Sequence, residues 1–319
     1  MSDAEQPDIG EQPGVPPLAR TTLDRSAHLR RDPAWLADAW KRGRVLVVDS
    51  TAGGLAPVRE RDGVLDLVLL ESADAPDGER LFLGIDPDGT PLFSVDAPLP
   101  AVEGARGATL REDGELLDDR DAGVFSAAAA LVNWHVSHRY SPRSGKLTTV
   151  TEGGWVRVDP DGRQMWPRTD PAMIVLIHDG VAGPDGRCLL GHNAGWPGTP
   201  GSRRFSTLAG FVEPGESAEA AVAREVFEEV GIRVRAMRYE GSQAWPYPGS
   251  LMLGFTAVAD RSQPLRLDPE EIDEARWFTR SEIRQMLVGA HRDPETGMAL
   301  YLPMRASIAL FLVTRWLTS

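Results

Sequence analysis

Hydrophobic positions divide the chain into two stretches of different rhythm. From about Arg44 to Leu110 they come in short runs, Val45-Leu46-Val47-Val48, Leu65 to Leu70 and Leu81-Phe82-Leu83, separated by turns such as Asp86-Pro87-Asp88-Gly89. Short apolar runs bounded by turn residues predict a small β-rich domain. Asp121 to His135 is alanine-rich with apolar residues at helical spacing, so a helix leads out of that domain. Arg139 to Arg168 is rich in Gly, Pro, Ser and Arg and reads as a compact connector. Ala172 to Ile177 (AMIVLI) is then a buried-strand run, and the remainder alternates strands and helices. The expectation is a mixed α+β chain. Residues 1–20 form a disordered tail, 21–133 a β-rich domain ending in a helix, 134–168 a connector, and 169–319 an α/β domain. No internal repeat is visible.

Composition changes this picture little. With 319 residues, 42% hydrophobic and 25% charged, the chain can bury two cores and has the balance of a globular protein. No run approaches the roughly 18 apolar residues of a membrane span. The acidic, proline-bearing start, Met1 to Pro17, lacks the layout of a signal peptide, so a cytoplasmic protein without membrane partners is expected. The single cysteine, Cys188, excludes an intramolecular disulfide and any multi-cysteine metal site. A net charge of −13 is poorly suited to gripping a long polyphosphate, whereas carboxylate clusters suit divalent cations and small metal-complexed phosphates.

The chemistry is concentrated in Gly210 to Ile232, GFVEPGESAEAAVAREVFEEVGI. Ser217 can cap a helix that begins after Pro214-Gly215, and Gly231 can stop it in a left-handed conformation. Ala221, Val222, Val226 and Val230 form its apolar stripe. Glu225, Glu228 and Glu229 stand at i, i+3 and i+4, on one face within a single turn. Three carboxylates so close repel one another; Arg224 balances part of the charge, and a hard divalent cation, Mg²⁺ or Mn²⁺, would balance more. The bland alternative is a solvated acidic helix face.

This segment resembles the Nudix box at every fixed position: Gly210, Glu216, and Arg224-Glu225-Val226-Phe227-Glu228-Glu229-Val230-Gly231-Ile232. Ordinary residue frequencies would assemble those positions in on the order of one in ten million chains of this length. The resemblance implies an α/β/α sandwich and metal-dependent hydrolysis of a pyrophosphate. It implies that Glu225 and Glu229 are metal ligands, Glu228 a supporting carboxylate and the Ala209 carbonyl a further ligand. Downstream, Ser242-Gln243-Ala244-Trp245-Pro246-Tyr247-Pro248-Gly249-Ser250 is similar to the SQPWPFPxS signature of the NADH pyrophosphatase subfamily, departing from it at Ala244 and Tyr247. The subfamily resemblance makes Ser242, Gln243, Trp245, Tyr247 and Ser250 candidate substrate contacts. Phe211 and Trp166 stand where that subfamily places base-stacking aromatics, and Ala309 stands in the stretch that closes its pocket. Glu271, with Glu270 and Glu274 as competitors, aligns with its last metal-ligand glutamate.

Many subfamily members carry a four-cysteine zinc ribbon between the domains. Here His135 and His138 are read in place of the first pair, and the second falls near Val158 to Gly162. The expectation is a zinc-free ribbon held by Trp134, Trp155 and Trp166; the alternative is a site from the two histidines and Asp159 or Asp161. The resemblance thus implies cleavage of NAD⁺ or NADH to nicotinamide mononucleotide and AMP, the same step on NAD-capped RNA 5′ ends, and a homodimer. A Nudix hydrolase of another substrate such as ADP-ribose, and a catalytically silent Nudix-fold binding protein, stay open at this point.

Overall fold

The computed structural model describes residues 14–319. The first apolar runs become two small sheets. In one, Arg44–Val48 lies parallel to Pro91–Asp96, with Leu70–Glu71 and Leu81–Ile85 on the outer edges. In the other, Ala56–Arg61 pairs with Val64–Leu67 and Arg106–Ala108. Helix Asp119–Ser137 closes the domain. Its Asp118 cap accepts the Asp121 N–H, and its apolar side packs with Leu46, Val58, Leu83 and Leu110 in one core.

Residues 1–13 of the expected tail lie outside the described residues. Residues 14–20 do not behave as a disordered tail: Pro17–Ala19 is a 3₁₀ turn, and Leu18 is buried with its N–H donating to Gln243 Oε1 at 3.1 Å. An apolar side chain with a core site to fill offsets the ordering cost of that turn.

The connector is a three-stranded antiparallel ribbon, Thr149–Thr151, Val156–Val158 and Gln164–Met165. Its two histidines are engaged in hydrogen bonds and do not converge on one site. His135 is buried in the last turns of the long helix; its Nδ1 faces Arg157 Nη1 at 2.7 Å and its Nε2 faces Gly154 O at 2.8 Å. Arginine can only donate, so Nδ1 accepts and Nε2 carries the proton to the carbonyl. Both ring nitrogens are therefore spent. His138 pairs with the Ser137 hydroxyl instead. Two tight turns face each other across the ribbon, Ser141-Pro-Arg-Ser144 and Asp159-Pro-Asp-Gly162. Ser144 Oγ donates to Asp159 Oδ2 at 3.0 Å, while Asp159 Oδ1 accepts the N–H groups of Asp161 and Arg163. Hydrogen bonds between these two turns close the ribbon. Metal analysis of chelator-washed protein should accordingly give no stoichiometric zinc, and Asp159→Ala should cost about 1–3 kcal/mol of stability by stranding the turn donors. One tightly held zinc per chain would contradict this account.

The second domain is an α/β/α sandwich. Its sheet runs in the order Val234–Trp245, Ser250–Ala259, Asp170–His178, Arg187–Asn193, Ile272–Thr279, with Leu208–Phe211 also pairing with Asp170–His178. Alternation along Asp170–His178 sorts its side chains to two cores. Met173, Val175 and Ile177 meet helix Ala218–Val230 on one face. Ile174 and Leu176 meet helices Arg280–Leu287 and Ile308–Thr318 on the other. Among the described residues no helix is long and apolar enough to cross a membrane.

Candidate active site

The box folds as its sequence dictates. Ser217 accepts the Ala220 N–H at 3.1 Å, and Gly231 ends the helix at φ 73°, with its N–H on Phe227 O. Ala221, Val222, Val226 and Val230 are buried, which fixes the rotation of the helix and turns Glu225 and Glu229 toward strand Leu208–Phe211. Contact there is close. A Cβ on Gly210 would lie 2.0 Å from Glu225 Cδ, so only glycine leaves room for the carboxylate.

Arg224 ties the segment together. Its Nε and Nη2 hold both oxygens of Glu216 at 2.9 Å, its Nη1 reaches Glu225 and Glu228 at 2.9 Å, and Nη2 also donates to Phe211 O. Beyond the helix, Arg266 N–H donates to Val230 O and Asp268 N–H to Glu229 O, so the following loop caps the free carbonyls of the last turn. This stitching brings Glu271 back to the helix. Carboxylate oxygens of Glu225, Glu229 and Glu271 lie within 4.8 Å of one another. The competitors are placed elsewhere: Glu274 pairs with Arg203 and Arg276, and Glu270 follows the Asp268 turn. Glu228 is off the cluster as well, its exposed carboxylate held by Arg224, because i+3 turns it out of the groove that i and i+4 share.

Electrostatics single out Glu229. It is 4% exposed, and its Oε2 is buried without a hydrogen-bond donor. Burial first, then repulsion from Glu225, Glu271 and Glu228, pushes its carboxyl up to about 8. Glu225 is pushed up too, by burial first. Stranded, mutually repelling hard oxygen donors fit a divalent cation, which would give the orphaned oxygen a partner and remove the repulsion.

A pocket of about 550 Å³ opens on the opposite face of the sheet at the same end, lined by Arg111, Trp196, Arg204, Trp245, Met252 and Ile308. Ile174, also in its wall, pairs with Ala209, and Trp196 lies two residues beyond Ala194, whose N–H donates to Glu271 O. Pocket and carboxylates therefore meet through shared backbone: Glu225 lies against the strand that pairs with Ile174, and Glu271 bonds the segment that leads to Trp196. The sequence reading missed Trp196, Arg204 and Arg111. The first stands in a Gly- and Pro-rich run (GWPGTPG) where an aromatic is itself a signal; Arg111 comes from the other domain, where nothing local marks it.

Of the candidate substrate contacts, Trp245 lines this pocket. Phe211 and Trp166 are 60% and 62% exposed, outside it, and Phe211 shares the sheet face of Ala209. Gln243 is a correction: it is 1% exposed, and its amide is spent on Leu18 N–H and Ala306 O, so it joins the domains. Tyr247 packs on the amino-terminal core and its hydroxyl accepts Arg111 N–H at 3.0 Å. It seats the arginine, whose guanidinium carbon lies 4.5 Å from the Tyr247 ring centroid and 5.5 Å from that of Trp245. Ala309 is buried in the helix core, and Ser307 and Ile308 face the pocket instead. Ser242 lines a different cavity between the domains, and Ser250 begins the return strand opposite Trp245.

A helix presenting carboxylates beneath a glycine strand, in an α/β/α sandwich, defines a Nudix-type hydrolase, a class that uses divalent metal ions. Residues 169–297 match the NUDIX domain family, and residues 38–134 match the NADH pyrophosphatase-like rudimentary NUDIX domain. The NAD-capped RNA hydrolase NudC of Mycobacterium tuberculosis is 40% identical over 307 residues, spanning 95% of both chains. The human NAD-capped RNA hydrolase NUDT12 is 36% identical over 212 residues, 63% of this chain and 43% of its own. The chain belongs to the NADH pyrophosphatase family of Nudix hydrolases.

Proposed function

We propose that the enzyme is an NAD⁺/NADH diphosphatase, cutting the dinucleotide at its pyrophosphate to nicotinamide mononucleotide and AMP, and that it removes NAD caps from RNA 5′ ends by the same step. The observation that carries this reading is the cluster of Glu225, Glu229 and Glu271 against strand Leu208–Phe211, whose partner strand Asp170–His178 also walls a pocket of tryptophans and arginines. Relatives named for NAD-capped RNA hydrolysis that match nearly the whole chain support it.

Glu225, Glu229 and Glu271 would hold Mg²⁺ or Mn²⁺, with the Ala209 carbonyl as a further ligand. Bound there, the cations polarise the phosphoryl oxygens and lower the pKa of the attacking water. Arg224 fixes the helix against the Gly210 strand and holds Glu228 beside the ligands as a supporting carboxylate. Arg111 and Arg204 offer guanidiniums to the substrate phosphates, and Trp196 and Trp245 offer ring faces to its bases. Trp166 and Phe211, exposed apolar rings, are further stacking surfaces. The reading extends to a homodimer working in the cytoplasm and to a connector that needs no zinc.

The substrate assignment is tested with Trp245→Ala. Stacking is worth on the order of 1–3 kcal/mol per base, so kcat/KM for NADH should fall roughly ten- to a hundredfold, with a clearly smaller loss on ADP-ribose. Equal losses on both would make Trp245 a packing residue or one that positions the diphosphate, and would contradict its role in choosing the dinucleotide.

A further inference from the structure

A second cavity, of about 660 Å³, lies on the amino-terminal domain, away from the box helix. Its floor is apolar, with Leu36, Ala37 and Phe93, while Arg30, Arg31 and Arg80 stand at its rim. Arg31 is answered by Glu152 at 3.2 Å. Arg30 and Arg80 have no carboxylate within ion-pair distance among the described residues; each lies against a tryptophan instead, Arg30 at 3.6 Å from the Trp155 ring centroid and Arg80 at 4.2 Å from that of Trp40. The Arg30 Nε–H is buried and meets no acceptor. Burial first, then repulsion from Arg25, draws its guanidinium down to about 10 against a smaller opposing pull from Glu152, and its Nη2 donates to Arg25 O at 3.2 Å.

These cations are not isolated. Arg25 lies 5.7 Å from the same Trp155 ring. Arg25 and Trp155, with Arg168 and Ser242, line a cavity of about 340 Å³ between the domains. From Ser242 the strand runs directly to Trp245 and so to the substrate pocket with Arg111. In a chain of net charge −13 these neighbouring cavities set Arg25, Arg30 and Arg80 in line against indole faces, while Arg31 and Arg168 are answered by Glu152 and Asp170. Guanidiniums with free donors recognise phosphate oxygens, and rings beside a cationic groove are the pattern that binds single-stranded nucleic acid without reading its sequence.

We propose that this line of residues binds the RNA chain that follows an NAD cap, with a backbone phosphate seated between Arg30 and Arg80. The proposal deepens, and rests on, the reading that capped RNA is a substrate. The test uses the full chain, the Arg30→Ser/Arg80→Ser double variant, and Arg80→Glu alone in case the loss of Arg30 stacking disturbs folding. Three readouts are compared: kcat/KM on NADH, kcat/KM on an NAD-capped oligoribonucleotide, and anisotropy of an uncapped single-stranded oligoribonucleotide as salt is varied. NADH turnover should stay within about twofold of wild type, while the value for capped RNA falls about tenfold. Oligonucleotide binding should weaken, its log–log salt slope flattening by about 0.7 for one lost phosphate contact. Wild-type oligonucleotide binding and salt slope in the variants would overturn the proposal. So would full displacement of the oligonucleotide by AMP, which would make the cavity a mononucleotide site. A wild-type enzyme that binds the oligonucleotide through these arginines but leaves capped RNA uncut would keep the RNA surface and refute the decapping reading.

Discussion

Glu229→Gln should lower turnover at least about a hundredfold while the chain stays folded, as expected when a group that stabilises the transition state electrostatically is removed. The substitution keeps the volume of the side chain and removes its charge. It should also raise stability in the absence of metal. Burial and the neighbouring carboxylates hold Glu229 at about 8, above the ordinary 4.5. Below about pH 4.5 the group is protonated in folded and unfolded chains alike and costs nothing. As pH rises toward 8 the unfolded chain ionises freely and the folded one resists, so stability is lost across that window. In chelator at pH 8.5 or so, Glu229→Gln should therefore melt above wild type, with the difference closing near pH 4.5. Saturating Mg²⁺ should reverse the order, because only wild type keeps the full ligand set. Near-wild-type turnover in the variant, or a wild-type melting temperature in chelator that climbs steadily from pH 5 to about 8, would refute this account of Glu229.

Gly210→Ala carries the second large effect through a methyl group. That Cβ would stand 2.0 Å from Glu225 Cδ and within 2.4 Å of both carboxylate oxygens. A carboxylate at the end of a flexible side chain can swing away, so the strand pairing of Gly210 with Met173 should survive. The ligand geometry should not. An ångström of displacement in a catalytic group is worth up to about a hundredfold in rate, so kcat should drop roughly ten- to a hundredfold. Isothermal titration with Mn²⁺ should show weaker binding with the fold intact by circular dichroism. Unchanged kcat and Mn²⁺ affinity would mean that Glu225 does not need to lie against Gly210.

How legible the site was depends on how local each part is. The cap Ser217, the stop Gly231 and the clustered carboxylates Glu225 and Glu229 all sit within one turn-helix-turn, where spacing alone fixes the geometry. Glu228 shows the limit of that reasoning. It shares the acidic face by spacing, yet its i+3 position turns its exposed carboxylate out of the groove, where Arg224 holds it. Glu271 could be separated from Glu270 and Glu274 only by the loop hydrogen bonds to the helix end, which no periodicity encodes. The Ser242 to Ser250 segment was readable as special but not in its division of labour: Gln243 and Tyr247 serve the domain junction, and Trp245 faces the pocket. The two-histidine alternative for the ribbon could not be decided by spacing, because the bonds that occupy both ring nitrogens of His135 come from Gly154 and Arg157, distant in sequence. The Ser-x-x-Ser and Asp-x-x-Gly turns were present in the sequence but carry no metal-ligand signal to draw attention to them.

The central claim is that the carboxylate cluster directs cleavage of the pyrophosphate of NADH. Its most direct measurement is product analysis after incubation of the full chain with NADH and Mg²⁺ or Mn²⁺, followed by chromatography of the nucleotides. Reduced nicotinamide mononucleotide and AMP should appear in equal amounts, and both should vanish with chelator and with Glu271→Gln. Release of free nicotinamide with ADP-ribose, or equal product yields from wild type and Glu271→Gln, would contradict it.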